Sequence, residues 1–276
     1  MKKIFMMALA VSLLCQAKAQ QLNTPQPSPT QTVKQNFSTG NIELSYSRPS
    51  KKGRTIFGDL VPYGAVWRTG ANSATTLTFS DDVTIGGKEV KAGKYGLLSI
   101  PGENKWTLII TKDLNVTSPA AYKQENDVVR VEAGVTKLPF SIENFTINFS
   151  DITGSSLNLE LMWDKTYVTL PVSTNTESRV MKQIDDAMNK DNKPYFNSAY
   201  YYFENGKDLG KALEWTNKAI DSNKEAFWMY MLKARILAKQ NDKAGAKAAA
   251  NTVVDLATKA QNGDYVKMAN DLLKTL

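Results

Sequence analysis

Between residues 42 and 172 the chain returns again and again to a period of two. Ile42, Leu44 and Tyr46 alternate with Glu43, Ser45 and Ser47, and Leu77 and Phe79 alternate with Thr76, Thr78 and Ser80. Val83 and Ile85 run into Gly86-Gly87, a hairpin signal, and Val90 starts the return. The same alternation carries Trp106, Leu108 and Ile110, then Phe145, Ile147 and Phe149, then Leu157 to Trp163, then Val168 to Val172. Successive strand side chains point to opposite faces, so each run predicts a half-buried strand. About eight such runs, punctuated by Gly, Asn, Asp and Pro, predict an antiparallel β-sandwich of jelly-roll-like kind. Lys94-Tyr95-Gly96 and Ile100-Pro101-Gly102 read as strand ends and turns.

After Ser173 the period changes to three and four. Val180, Ile184, Ala187 and Met188 form one helical stripe; Leu209, Ala212, Leu213, Thr216 and Ile220 a second; Phe227, Tyr230, Met231, Ala234 and Leu237 a third. Residues 242–260 and 264–275 read as two more helices, and Pro194 opens another over 194–204. The fold class predicted is α+β: a flexible Pro-rich lead-in (20–30), a β-sandwich domain (31–172) and an all-α domain (173–276). A shift of 34 residues brings Asp208 onto Asp242, Ala212 onto Ala246, Asn217 onto Asn251 and Asp221 onto Asp255. This period resembles tetratricopeptide helix–turn–helix repeats, which implies a protein-docking tail over 173–276. An unrelated helical bundle is the alternative, because the early Trp and Leu-Gly positions of that family are not clearly matched. Trp163, Trp215 and Trp228 are expected in cores or between helices, and Tyr200 to Phe203 cannot all lie on one helix face.

The connection over 50–73, SKKGRTIFGDLVPYGAVWRTGANS, has no strand period. Connections this long are uncommon in compact domains and often functional. Ile56, Phe57, Leu60, Val61, Tyr63, Val66 and Trp67 are too apolar to stay in water, so a packed excursion is expected, with a helical turn at Ile56–Leu60. Its charge is one-sided: Arg48, Lys51, Lys52, Arg54 and Arg68 stand against Asp59. Guanidinium groups clamp carboxylate or phosphate with paired bonds, and Trp offers a flat apolar face. Arg48, Arg54, Trp67, Arg68, Thr69 and Asn72 are therefore candidate contacts for an acidic or carbohydrate ligand. The competing reading is architectural. Trp67 points inward as a plug, Arg68 pairs with Asp59 or Asp81, and Thr69, Gly70 and Asn72 serve a turn.

The N-terminus adds a compartment. Lys2 and Lys3, the apolar run from Ile4 to Leu14 and Ala17-Lys18-Ala19 predict a signal peptide (1–19) cleaved before Gln20. Lipid anchoring at Cys15 is the alternative, against which stands Leu14, where a small residue is required. The apolar run is too short to span a bilayer, so no transmembrane segment is expected after cleavage. The expected location is periplasmic or secreted, in a Gram-negative envelope. Loss of Lys2, Lys3 and Lys18 takes 34 basic against 27 acidic residues to 31 against 27, and net +7 to +4. That mild excess does not predict a nucleic-acid partner.

Cys15 is the chain's one cysteine and there is no histidine. A mature chain without Cys or His excludes disulfides, thiol nucleophiles, Ser-His-Asp triads and His-built metal or haem sites. No cofactor, metal or catalytic residue is assigned. A carboxylate-dependent hydrolase or lyase acting on envelope carbohydrate stays open, with Asp59, Asp81, Asp82 and Glu103 as its acids, and would need two carboxylates across a cleft near Trp67.

The segments SRPSKKGRTIFGDLVPYGAVWRTGANSATTLTF and VTIGGKEVKAGKYGLLSIPGENKWTLIITKD carry long motifs, VWRTGAN-AT and AG-Y-L-IPG---W. They resemble an exported bacterial family of the Bacteroidetes, domain of unknown function number 2911, over roughly residues 28–172. The resemblance implies a signal peptide, a β domain and sometimes a helical tail, and it brings no activity. Taken together, the expectation is a non-enzymatic ligand- or protein-binding module of the cell envelope with a helical interaction tail. A purely structural scaffold is the third reading.

Overall fold

The computed structural model describes residues 24–276. The predicted signal peptide, its cleavage site and Cys15 lie outside the described residues. The chain divides into two compact units, one ending at Thr176 and one spanning Glu177–Leu276.

The first unit is a nine-stranded antiparallel sheet. Its strands are β1 (Thr30–Phe37), β2 (Gly40–Ser47), β3 (Thr75–Phe79), β4 (Val83–Ile85), β5 (Lys88–Val90), β6 (Gly93–Ile100), β7 (Lys105–Thr111), β8 (Asp127–Ser150) and β9 (Ser156–Ser173). In space they run β1-β2-β3-β6-β7-β8-β9-β4-β5. The path is a meander from which one hairpin is displaced: β4 and β5 leave the β3–β6 pair and join β9 through Ile85↔Val172. Strand β8 is 24 residues long and serves both halves. Its first part pairs with β7, from Thr111↔Asp127 to Lys105↔Gly134, and its second part pairs with β9. The β8–β9 register breaks between Lys137 and Ile142 and again before Thr146. Bulges of this kind bend a strand and strengthen its twist.

That bend brings the two halves of the sheet face to face. Tyr46 on β2 donates through Oη to Ile147 O (3.1 Å) and accepts from Ile147 N (3.0 Å) on the far half. Its ring meets Phe145 edge-on at 6.0 Å. Between the halves lies one core that includes Leu44, Leu77, Leu97, Trp106, Phe145 and Trp163. Burial lifts the Tyr46 phenol above its ordinary pKa, against the Ile147 hydrogen bond and the Arg48 charge that lower it.

Three strand segments escape the alternation read from the sequence. Strand β1 is a polar edge, strand β6 is a central strand where turns were expected, and the first part of β8 extends from Asp127. The excursion over 50–73 is packed, but it has no helical turn at Ile56–Leu60. Gly58 N donates to Val61 O and Val61 N to Ile56 O, closing a tight turn instead. Ile56 and Val61 are buried, whereas Leu60 and Tyr63 are 43% and 42% exposed, against the expectation that both leave water.

The second unit is built by six helices: α1 (Thr176–Met188), α2 (Tyr195–Glu204), α3 (Leu209–Ser222), α4 (Phe227–Lys239), α5 (Lys243–Lys259) and α6 (Gly263–Thr275). Asp208 caps α3 by accepting from Gly210 N and Lys211 N, and Asp242 caps α5 by accepting from Gly245 N. Such caps satisfy amide protons that have no partner inside the helix. Ala246, Ala249 and Ala250 of α5 pack against Ala234 and Leu237 of α4, where small side chains let the helices approach. On α2, Ala199, Tyr202 and Phe203 are buried while Tyr200 is exposed, as one helix face requires. Trp215 is buried, but Trp228 is 36% exposed and is not a core residue. Among the described residues no helix is long and apolar enough to cross a membrane.

Candidate functional site

The 50–73 excursion returns to the sheet at Trp67. Trp67 N donates to Ser99 O (2.7 Å) and Ser99 N to Trp67 O (2.9 Å), a short antiparallel bridge onto β6. The bridge fixes the indole over the core. Trp67 lies nearly parallel to Trp163, 6.0 Å apart at 18°, and meets Phe145 at 5.0 Å and Trp106 at 6.1 Å edge-on. Phe57 closes the cluster at 4.8 Å from Trp106. Each indole–ring contact of this kind adds about 0.5–1.5 kcal/mol beyond area burial. Trp67 Nε1 donates to Gly70 O at 3.0 Å.

Beyond Trp67 the backbone turns sharply. Thr69 (φ 56°), Gly70 (φ 150°) and Asn72 (φ 58°) all occupy positive φ. Thr69 is fully buried; its hydroxyl bonds Ser99 Oγ at 2.9 Å, and its carbonyl accepts from Thr75 Oγ1 at 2.5 Å. Asn72 Nδ2 donates to Ser28 O and Ser47 Oγ. A Cβ at Gly70 would stand 3.0 Å from Ser47 O. This turn places the next side chain, Arg68, at the edge of a cavity.

The cavity, half open to solvent, holds about 390 Å³ and is lined from four parts of the chain, the first of them Ser28. Leu60, Val61, Pro62, Ala65 and Val66 come from the excursion with Trp67, Gly70 and Ala71; Pro49 and Trp163 form part of the wall; Thr117, Ser118 and Pro119 contribute a separate loop. Arg54 and Arg68 are its charged lining side chains, and no Asp or Glu lines it. Arg68 Nη1 donates to Thr117 O at 2.6 Å, which ties the loop to the excursion. Arg68 Nε is buried with no hydrogen-bond partner. A buried donor left unpaired costs about 1–3 kcal/mol, and with no accessible surface this one is closed to a ligand as it is to water.

The six candidate residues separate by role. Arg54, Trp67 and Arg68 line the cavity. Arg48 does not: Nε donates to Phe145 O (3.2 Å), Nη1 to Gln31 Oε1 (3.0 Å) and Nη2 to Thr146 Oγ1 (2.8 Å), so it ties β2 to the far half of the sheet. Thr69 and Asn72 shape the turn. The pairing of Arg68 with Asp59 or Asp81 is not formed among the described residues; Thr117 O takes that role. Lys51 is held by Asp164 at 2.6 Å, with Ser141 also donating to Asp164. Burial pushes the Asp164 carboxyl up, but the hydrogen bonds from Lys51 and Ser141 outweigh it and leave its pKa lowered.

The acids named for a hydrolase lie elsewhere. Asp82 accepts from Ala92 N and Lys91 Nζ, and those bonds lower its pKa. Asp59 and Glu103 are exposed. The carboxylate pair near Trp67 on which that reading depends is not in the cavity lining. Among the described residues no cluster of His, Cys, Asp or Glu is built to hold a metal ion. Sequence reasoning missed Pro49 and the Thr117–Pro119 loop as lining, and placed Trp163 in the core alone. The Thr-Ser-Pro turn signal at 117–119 was the available hint.

No curated protein matches the chain. The model of one family does, over residues 28–172, which takes in all of the sheet but its last residue and every lining residue of the cavity. By that match the chain belongs to the family described as protein of unknown function (DUF2911).

Proposed function

We propose that the sheet unit is a small-molecule binding module, without catalytic machinery of its own, that holds an acidic or carbohydrate ligand in the Trp67–Arg68 cavity. One observation carries this reading: a half-apolar cavity whose charged lining is two guanidiniums with no carboxylate beside them. Apolar walls with a few placed polar groups are the general form of small-molecule sites. A thermal-shift screen of sugars, peptidoglycan fragments and acidic metabolites tests it, with wild type beside Arg68→Ala. A compound that raises Tm in wild type and less in the variant supports the site. Compounds that stabilise both equally remove Arg68 as a contact.

The protein works in the cell envelope of a Bacteroidetes-type bacterium, exported by its N-terminal segment; Lys2, Lys3, the Ile4–Leu14 run and Ala17-Lys18-Ala19 support this. Fractionation of cells expressing the chain with and without residues 1–19 tests export. The helical unit is a tetratricopeptide-like array that docks a protein. Asp208 and Asp242, 34 residues apart, each cap a helix, and Ala212 and Ala246 are both fully buried, which supports the repeat. Pull-downs from envelope extract with and without residues 173–276 test the docking role; equal recovery refutes it.

A further inference from the structure

Resting on the reading of this cavity as a ligand site, we infer that the ligand is a small monocarboxylic acid with an apolar body. Its carboxylate takes the terminal Nη1–Nη2 edge of Arg68, and its body lies against Trp67 and Trp163.

Three features select this class. The first is the geometry of Arg68. Nη1 is committed to Thr117 O at 2.6 Å, which holds the guanidinium in place before any ligand arrives. Nε is sealed from the cavity, which leaves the terminal Nη1–Nη2 edge to face a ligand. A guanidinium edge matches the two oxygens of a carboxylate, and charge-assisted bonds of this kind are about twice as strong as neutral ones. The second is what the lining lacks. A sugar presents many hydroxyl donors, and sugar sites answer them with carboxylate and amide side chains. Here no Asp, Glu, Asn or Gln lines the cavity, and its side-chain acceptors are the hydroxyls of Ser28, Thr117 and Ser118. Each buried sugar hydroxyl without a partner would weaken binding. The third is charge balance. Arg54 also donates to Lys51 O and Ser50 O, so its guanidinium is partly occupied by the backbone. One well-placed guanidinium against an apolar floor suits a single negative charge better than a phosphate, which demands donors on several sides. The volume of about 390 Å³ sits at the lower end for small-molecule pockets, roughly 300–1,000 Å³, and admits one ring or a short acyl chain.

Fluorescence and calorimetric titrations of the protein test the inference with phenylacetate, hexanoate, their primary amides, N-acetylglucosamine and inorganic phosphate. At least one acid is expected to bind saturably, with its amide, of the same shape but uncharged, about tenfold weaker or more. Arg68→Gln is expected to remove most of that acid–amide difference, with the acid losing about tenfold more affinity than the amide. The acid–amide comparison in wild type needs no variant, so it stands even if Arg68→Gln folds poorly. An amide that binds as tightly as its acid overturns the inference. N-acetylglucosamine or phosphate binding in an Arg68-dependent way, with the acids silent, keeps the cavity as a site but overturns the carboxylate class. Silence from every probe into the millimolar range overturns the cavity reading together with the class.

Discussion

Arg48 and Arg68 flank the same excursion and look alike in sequence, yet the structure assigns them opposite consequences on substitution. Arg48→Ala removes three hydrogen bonds made from the end of β2, to Gln31 on β1 at 3.0 Å and to Phe145 and Thr146 on the far half at 3.2 and 2.8 Å. At about 1 kcal/mol each for partly buried, charge-assisted bonds, the loss comes to about 2–3 kcal/mol. For a unit of this size that lowers Tm by about 5–10 °C. Arg68→Ala removes one bond to an exposed loop, Thr117 O, and also relieves a buried unpaired donor. Its cost is expected to stay below about 1 kcal/mol. Urea denaturation followed by Trp fluorescence in a Trp215→Phe/Trp228→Phe background isolates the sheet, since the three remaining indoles, Trp67, Trp106 and Trp163, all sit in its core cluster. An Arg48→Ala loss under about 0.5 kcal/mol, or equal losses for the two variants, would refute the division of roles.

Gly70→Ala is expected to cost about 1–2 kcal/mol, because φ is 150° and the new Cβ would press on Ser47 O at 3.0 Å; the same denaturation assay reads it. In the helical unit, Ala250→Leu overpacks a fully buried position and is expected to cost about 1–3 kcal/mol, while Ala248→Leu, on the exposed side of α5, stays near neutral; thermal melts by far-ultraviolet circular dichroism separate them. Asp164 has a lowered pKa, so its contribution is present above the ordinary Asp value near 4 and is lost as pH falls through its folded value. Denaturation midpoints of wild type should therefore drop below about pH 4 more steeply than those of Asp164→Asn, and parallel pH profiles would contradict the Lys51–Asp164–Ser141 anchor.

Strands with one wet face declare themselves in sequence. On β2 and β9 the buried side is Ile42, Leu44 and Tyr46, or Leu157, Leu159 and Leu161, and the alternation is direct. Strand β6 is buried on both faces over Tyr95 to Ser99, so it loses the alternation, and its glycines make it look like a turn. Strand β1 fails for the opposite reason: as an edge with only Phe37 buried, it carries too little apolar signal. The helices, each with an apolar stripe against its neighbours, were legible almost to their ends.

The site was half legible. The surplus of Arg and aromatic residues in the excursion marks Arg54, Trp67 and Arg68, because local composition reports local chemistry. It cannot separate Arg48 from Arg68, since Arg48 is satisfied by Gln31, Phe145 and Thr146, whereas Arg68 has a single bond, to Thr117. Those partners arrive through sheet pairing, and no nearby pattern announces them. For the same reason Trp163 could be read as core but not as cavity wall: it is 2% exposed and does both.

The most direct test is the NMR signals of the Arg68 guanidinium Nη–H protons, assigned by their disappearance in Arg68→Lys and followed as phenylacetate is added. A saturable downfield shift is expected as the guanidinium gains a carboxylate, accompanied by shifts of the Trp67 and Trp163 indole signals. Indole signals that move while the Arg68 Nη–H protons stay in place, or Nη–H signals unmoved at every concentration, would contradict the site.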